Sequence, residues 1–380
     1  MATKPRAIFE EVGTVQRPAT VTGAIDRGRS DSRRWLRLWL IALFALVVVM
    51  ILVGGLTRLT DSGLSITRWD LVTGTIPPMS ASDWQAEFDL YRASPQYELM
   101  NKGMTMPEFQ QIYWWEWGHR LLGRVIGLVF IGGFLGFLVA RRLTAGWTQR
   151  LLMVGVLIGL QGVVGWWMVH SGLQDGMTSV ASYRLATHLG LAFAILGLIT
   201  WFALLLGRRD TELLTARRQT ERRLFAGATG LMHLSFLQII LGALVAGIDA
   251  GRAYPTWPDM AGGFLPPEPL SIEPIWRNFF ENPGLVQFIH RMTGYAVALL
   301  AVVVWLRARR SPHPATRTAF HWVLGAVAIQ VVLGVWAVLS MAQLHVAITH
   351  QAGAILLWTL VVRGRFLARY PVATTIRGRA

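Results

Sequence analysis

Residues 119–123 read HRLLG, and residues 290–294 read HRMTG. A long apolar run follows each. Two membrane-length segments therefore open on the same histidine–arginine pair, and the first copy extends backwards as WWEWGHRLLG over 114–123. Ionisable groups at the edge of a hydrocarbon layer are costly, so Glu116, His119 and Arg120 need a purpose.

The 380 residues are 53% hydrophobic and only 15% charged, with 17 Trp. A soluble chain would be nearer one quarter charged, so a polytopic membrane protein is expected. The net charge of +15 lies between apolar runs rather than on one face, which argues against nucleic acid as a partner. The absence of cysteine excludes disulfides, thiolate nucleophiles, iron–sulfur clusters and cysteine-bound zinc.

Hydropathy gives eight spans, at about 36–57, 119–140, 151–170, 184–206, 225–247, 288–306, 319–340 and 344–362. Lys and Arg are distributed unevenly between the alternate connections. The segments 1–34, 141–150, 207–223, 307–318 and 363–380 hold 25 of them, and the opposite set holds 6. By the positive-inside rule both termini are cytoplasmic and the long segments 58–118 and 248–287 lie outside. Those segments are expected to form partly ordered caps at the membrane surface. Residues 1–34 have no apolar core of their own, so they do not read as a cleavable secretory signal, and disorder is expected there.

The chain repeats itself. GGLTRLTDSG (54–63) matches GALVAGIDAG (242–251), and HRLLG matches HRMTG. QGVVGWW (161–167) matches QVVLGVW (330–336), and ATHLG (186–190) matches ITHQA (348–352). The expected fold is an all-α integral membrane protein whose eight transmembrane helices form two pseudo-two-fold-related four-helix bundles. The divisions are a basic tail over 1–34, an N-terminal half over 35–206, a cytoplasmic linker over 207–224, a C-terminal half over 225–362 and a tail over 363–380. The repeat also sorts the nine histidines. His119 pairs with His290 and His188 with His350, whereas His170, His233, His313, His321 and His345 have no counterpart.

Two imidazoles at similar depth on parallel helices are the protein side of bis-histidine haem ligation. A single intramembrane histidine is more often a helix–helix hydrogen-bonding residue. Recurrence of the pair in both halves favours ligation. Arg120 and Arg291 each follow a candidate ligand and could pair with haem propionates, or simply snorkel to the interface. Gly123, Gly165, Gly294 and Gly334 could let a flat macrocycle approach the backbone. Glu116-x-x-His119 also has the spacing of a di-iron motif, but the second half has Gln287 at that place and no span interior carries Glu. Nor is there a His-Glu-x-x-His zinc motif. The Glu116/Gln287 difference separates the halves, because only a carboxyl can exchange protons near neutral pH. The half containing Glu116 is expected to do chemistry, and the other to hold a permanent redox cofactor.

GGLTRLTDSG, EWGHR, ATHLG, FIHRMTG and ITHQAG, in this order over about 36–362, resemble the haem A synthase family. The resemblance implies an oxidoreductase that converts the C8 methyl of haem O to a formyl group by successive hydroxylations, giving haem A for cytochrome oxidase. It implies that His290 and His350 ligate a resident haem b, that His119 and His188 flank the substrate haem, and that Glu116 takes part in catalysis. It implies haem O synthase and the oxidase assembly machinery as partners, with membrane lipid and an unidentified electron acceptor. The oligomeric state stays open, a homo-oligomer included. Some members carry cysteines in the outer loops, and this chain resembles the cysteine-free branch. Glu10 and Glu11 sit early in the tail, where a mitochondrial transit peptide would be acid-poor, so a bacterial inner membrane is expected over a mitochondrial one. Two rivals explain the four histidines as well: a di-haem electron carrier of the cytochrome b type, and a haem transporter or chaperone.

Overall fold

The computed structural model describes residues 24–144 and 146–372, and every regular element among them is helical. Eight helices are long and apolar enough to cross a membrane. In chain order they are Ala24–Leu59, Met106–Val139, Trp147–Gly172, Ser182–Leu206, Arg222–Gly247, Pro283–Ala308, Pro314–Leu339 and Leu344–Arg369. Helices satisfy every backbone polar group within the segment, which hydrocarbon demands.

All eight spans lie where hydropathy placed them, and three extend furthest beyond the expected bounds. The second starts at Met106, so WWEWG is helical rather than loop. Its start is written in TMPE: Glu108 accepts from the Thr105 backbone N–H at 2.8 Å, and Pro107 stands in the first turn. The first helix reaches back to Ala24, so the disorder expected over 1–34 does not hold from residue 24 onward, and residues 1–23 lie outside the described residues. The last helix runs to Arg369. Arg365 is held there by aromatic faces, with its guanidinium 4.6 Å from the Phe225 ring and 4.9 Å from that of Trp201. The connection between the fourth and fifth spans contains a short helix, Asp210–Arg218.

Each half is a ring. The first span packs on the second and fourth, and the third packs on both as well. Spans five to eight repeat this pattern. The halves meet where the fourth span touches the fifth and eighth, and where the eighth touches the first. The fourth span is the central helix: half of its most apolar window is buried, against 11% for the second and third. Gly197 lets it come close to the eighth, because a Cβ there would lie 2.9 Å from Trp358 Nε1. Positions related by the repeat face lipid alike, as Leu128 and Leu299 do, each 69% exposed.

The repeated aspartates now have a structural reason. Asp61 and Asp249 follow the first and fifth spans with φ of 51° and 53°, a left-handed conformation that Asp tolerates better than most residues. Arg58 reaches both carboxylates, at 2.8 and 2.7 Å, and so ties the two halves together on the face bearing the long loops.

The first long loop is ordered. Its helices Ala81–Arg92 and Pro95–Met100 close over an aromatic cluster of Phe88, Tyr91, Tyr97, Phe109 and Tyr113. Burial pushes the Tyr91 phenol above its usual range, and it donates to Gln96 at 3.1 Å. Gln96 in turn donates to the Asp61 carbonyl, fastening the loop core to the end of the first span.

Candidate haem-ligating site

In each ring the histidines sit on diagonal helices, and a glycine of a neighbouring helix lies against each of them. A Cβ on Gly54 of the first span would lie 3.1 Å from His119 Nε2 on the second. On Gly165 of the third it would lie 3.0 Å from His188 Cε1 on the fourth. The second half repeats this: Gly242 with His290 at 3.0 Å, and Gly334 with His350 at 3.3 Å. No larger residue fits behind these rings without moving them.

Further contacts hold the backbones at these points. Gln161 donates to the His188 carbonyl at 2.9 Å, and Gln330, its counterpart, to the His350 carbonyl at 3.0 Å. Yet the Nδ1 atoms of His188, His290 and His350 are buried with no partner. A buried polar nitrogen left unpaired is costly, and coordination to iron is one way to satisfy an imidazole. Among the described residues no three metal-binding side chains cluster. A bare ion held by protein alone generally needs more ligands than two, whereas a haem iron needs only two axial ones. The donor set therefore fits haem.

Glu116 and Arg120 form a clamp on the first loop. Glu116 is 2% exposed. Its Oε2 accepts from Ser65 Oγ at 2.7 Å and from the Ile66 N–H at 2.9 Å, and its Oε1 pairs with Arg120 at 2.6 Å. Arg120 also donates to the carbonyls of Ile66 and Arg68, both at 2.7 Å. One turn on, Arg124 holds the carbonyls of Asp70 and Leu71. The second half builds the same clamp without a carboxylate. Gln287 donates to the Ala250 carbonyl at 3.0 Å and accepts from Arg291 at 3.1 Å. Arg291 donates to the carbonyls of Tyr254 and Asp259. The terminal nitrogens of both arginines thus hold loop backbone, while the Nε of each is buried without a partner.

The whole arrangement can be compared with known proteins. Residues 37–362 match the family described as cytochrome oxidase assembly protein, COX15-CtaA. The chain belongs to this family. It is 60% identical over 377 residues to the heme A synthase of Ruegeria sp. (strain TM1040), covering 98% of this chain and 99% of that protein. It is 61% identical to the heme A synthase of Dinoroseobacter shibae over 378 residues, 99% of each chain. To that of Paracoccus denitrificans it is 59% identical over 375 residues, 98% of each.

Two features of this COX15-CtaA chain escaped the sequence reading. Arg184 stands one turn before His188 on the fourth span, where the other half has Val346. Its guanidinium lies 4.4 Å from the Trp167 ring and donates to the Trp167 carbonyl, and its Nε is buried without a partner. The signal was available as an unrepeated cation beside a repeated histidine. Gln238 is the second. It donates to the His290 carbonyl at 3.0 Å, and its Nε2 is 3.3 Å from His290 Nε2. The repeat puts Met50 at its place in the first half, against Gly123 as Gln238 is against Gly294. The two halves thus differ here, with an amide against His290 in one and a thioether against Gly123 in the other.

Proposed function

We propose that this protein is a haem A synthase, oxidising a methyl of haem O to a formyl group by two hydroxylations and loss of water, in the service of cytochrome oxidase assembly. The observation that carries the reading is the doubled histidine–glycine arrangement, in a chain about 60% identical to heme A synthases over nearly its whole length. His119 and His188 flank the substrate haem, and His290 and His350 hold a resident haem b. When bound, haem b supplies a redox centre that accepts electrons from the substrate side.

The protein's own residues supply the rest. Taking methyl to formyl removes four electrons from the carbon in two two-electron steps, and protons leave with them. Among the described residues Glu116 is the one buried carboxylate, and it stands one turn from His119. It holds or passes a proton at that end of the site. The clamped loop covers the same end, where it limits access of water. Arg120, Arg184 and Arg291 each keep an unpartnered Nε for a propionate. The chain lies in a bacterial inner membrane, and the excess of Lys and Arg in alternate connections supports an orientation with both termini cytoplasmic.

Adding haem O to the purified protein with an electron acceptor tests this, with products separated by chromatography. Formyl or hydroxymethyl haem is the expected product. Recovery of unchanged haem O alone from protein with intact haem b sinks the reading.

Two variants probe the sites separately. Gly242→Ala is expected to lower haem b occupancy, because the new methyl meets His290. Gly136→Ala, where nothing lies within 4 Å, is expected to leave occupancy unchanged. Absorption per purified chain checks both. Arg184→Val installs the residue of the other half. It is expected to raise the KM for haem O by about tenfold with haem b unaltered, since a charge-assisted hydrogen bond contributes about 1.5–3 kcal/mol. An unchanged KM removes Arg184 from the substrate site.

A further inference from the structure

The opposite face of the protein, which carries both ends of the eight-span bundle, holds a second cluster of cations that the haem chemistry does not use. A cavity of about 320 Å³ lies between the start of the first span and the end of the fourth. Five arginines line it, and two of them are engaged. Arg33 pairs with Asp210 at 2.9 Å and donates to the carbonyls of Leu205 and Arg208. Arg208 donates to the carbonyls of Tyr370 and Pro371. Arg34, Arg37 and Arg209 line the cavity with no hydrogen bond or ion pair to the described residues.

Part of the cavity lining is apolar and exposed. Leu38 and Ile41 follow Arg34 and Arg37 on the same face of the first span, and they are 44% and 42% exposed. A wall of guanidinium groups without partners among the described residues thus runs into an exposed apolar strip within about two helical turns. That is the shape of an anionic lipid, with a phosphate at the water boundary and chains beside it. A soluble anion would match the guanidinium groups but not the strip. Basic pockets between membrane helices are known to take such headgroups.

We propose that this cavity binds an anionic phospholipid, with Arg34, Arg37 and Arg209 on the phosphate and Leu38 and Ile41 against the acyl chains. The bound lipid bridges the first and fourth spans, the two helices of the first half that pack against the second. The site is independent of the haem reading.

Native mass spectrometry of the detergent-solubilised full chain, titrated with phosphatidylglycerol or phosphatidylcholine, tests it. Wild type is expected to retain phosphatidylglycerol over phosphatidylcholine. The combined Arg34→Gln, Arg37→Gln and Arg209→Gln variant is expected to lose about a hundredfold in that retention. A second variant with the same loss of charge elsewhere on this face, Arg218→Gln, Arg222→Gln and Arg223→Gln, is expected to behave as wild type. It also controls for effects of charge on insertion. Inorganic phosphate at millimolar concentration should not displace the lipid. Equal loss in both variants, no loss in the first, or displacement by phosphate alone would each overturn the assignment. If the first variant does not fold, Ile41→Asp is the alternative, with loss of phosphatidylglycerol retention expected and full retention contradicting the proposal.

Discussion

Glu116→Gln is expected to lower turnover by about a hundredfold or more, while the absorption of resident haem b stays that of wild type. The other half shows why this variant should fold. Gln287 accepts from Arg291 much as Glu116 accepts from Arg120, so an amide can serve that part of the clamp. The fit is not perfect. Oε2 of Glu116 accepts from Ser65 and from the Ile66 N–H, and an amide nitrogen there would face a donor. One unsatisfied buried N–H costs about 1–3 kcal/mol, enough to loosen the loop. Ser65→Ala separates the two effects, because it removes one clamp bond and keeps the carboxyl group. It should retain turnover within about tenfold of wild type. If Ser65→Ala is as inactive as Glu116→Gln, the clamp and not the carboxylate carries the activity.

Replacing His290 and His350 together with alanine is expected to lower haem b occupancy more than about tenfold, since even outer-shell partners of metal ligands can cost about 10–100-fold. Each imidazole lies against a glycine and has a buried nitrogen without a partner, so the alanines remove an unsatisfied group along with the ligands. The helices themselves are held elsewhere, by Val297, Ala301, Val304, Val323 and Val327 deeper in the bundle. Size-exclusion behaviour should therefore stay monodisperse. His119→Ala with His188→Ala should do the reverse, keeping haem b and losing haem O binding. Haem b fully retained with both His290 and His350 replaced would show that the halves had been assigned the wrong way round.

The eight spans and the four histidines were legible because both depend on local pattern: apolar runs of membrane length, and short motifs recurring in order. The first loop's role was not. Its contacts with Arg120 and Arg124, like those of the second long loop with Arg291, end on backbone carbonyls, which every residue has and which leave no mark in the sequence. For Arg120 and Arg291 the sequence suggests a haem propionate or a snorkelling position, and the loop carbonyls that hold their terminal nitrogens have no signal in it. The start of the second span was missed for a different reason. Hydropathy ends near residue 119, but the helix continues outward to Met106 because a polar cap and an aromatic core, rather than lipid, hold that stretch. The repeated glycines were noticed as places of close approach. That Gly165 and Gly334 lie against His188 and His350, and Gly123 and Gly294 against Met50 and Gln238, could only come from the packing, because each contact joins neighbouring helices.

The central claim is that the two histidine pairs hold different haems for different ends. The most direct measurement is the haem inventory of the purified wild-type protein, extracted and separated by chromatography after expression with haem O available. One haem b per chain is predicted, together with haem O, haem A or a hydroxylated intermediate. Two haem b per chain with no haem O derivative would contradict the account and make the protein a di-haem electron carrier.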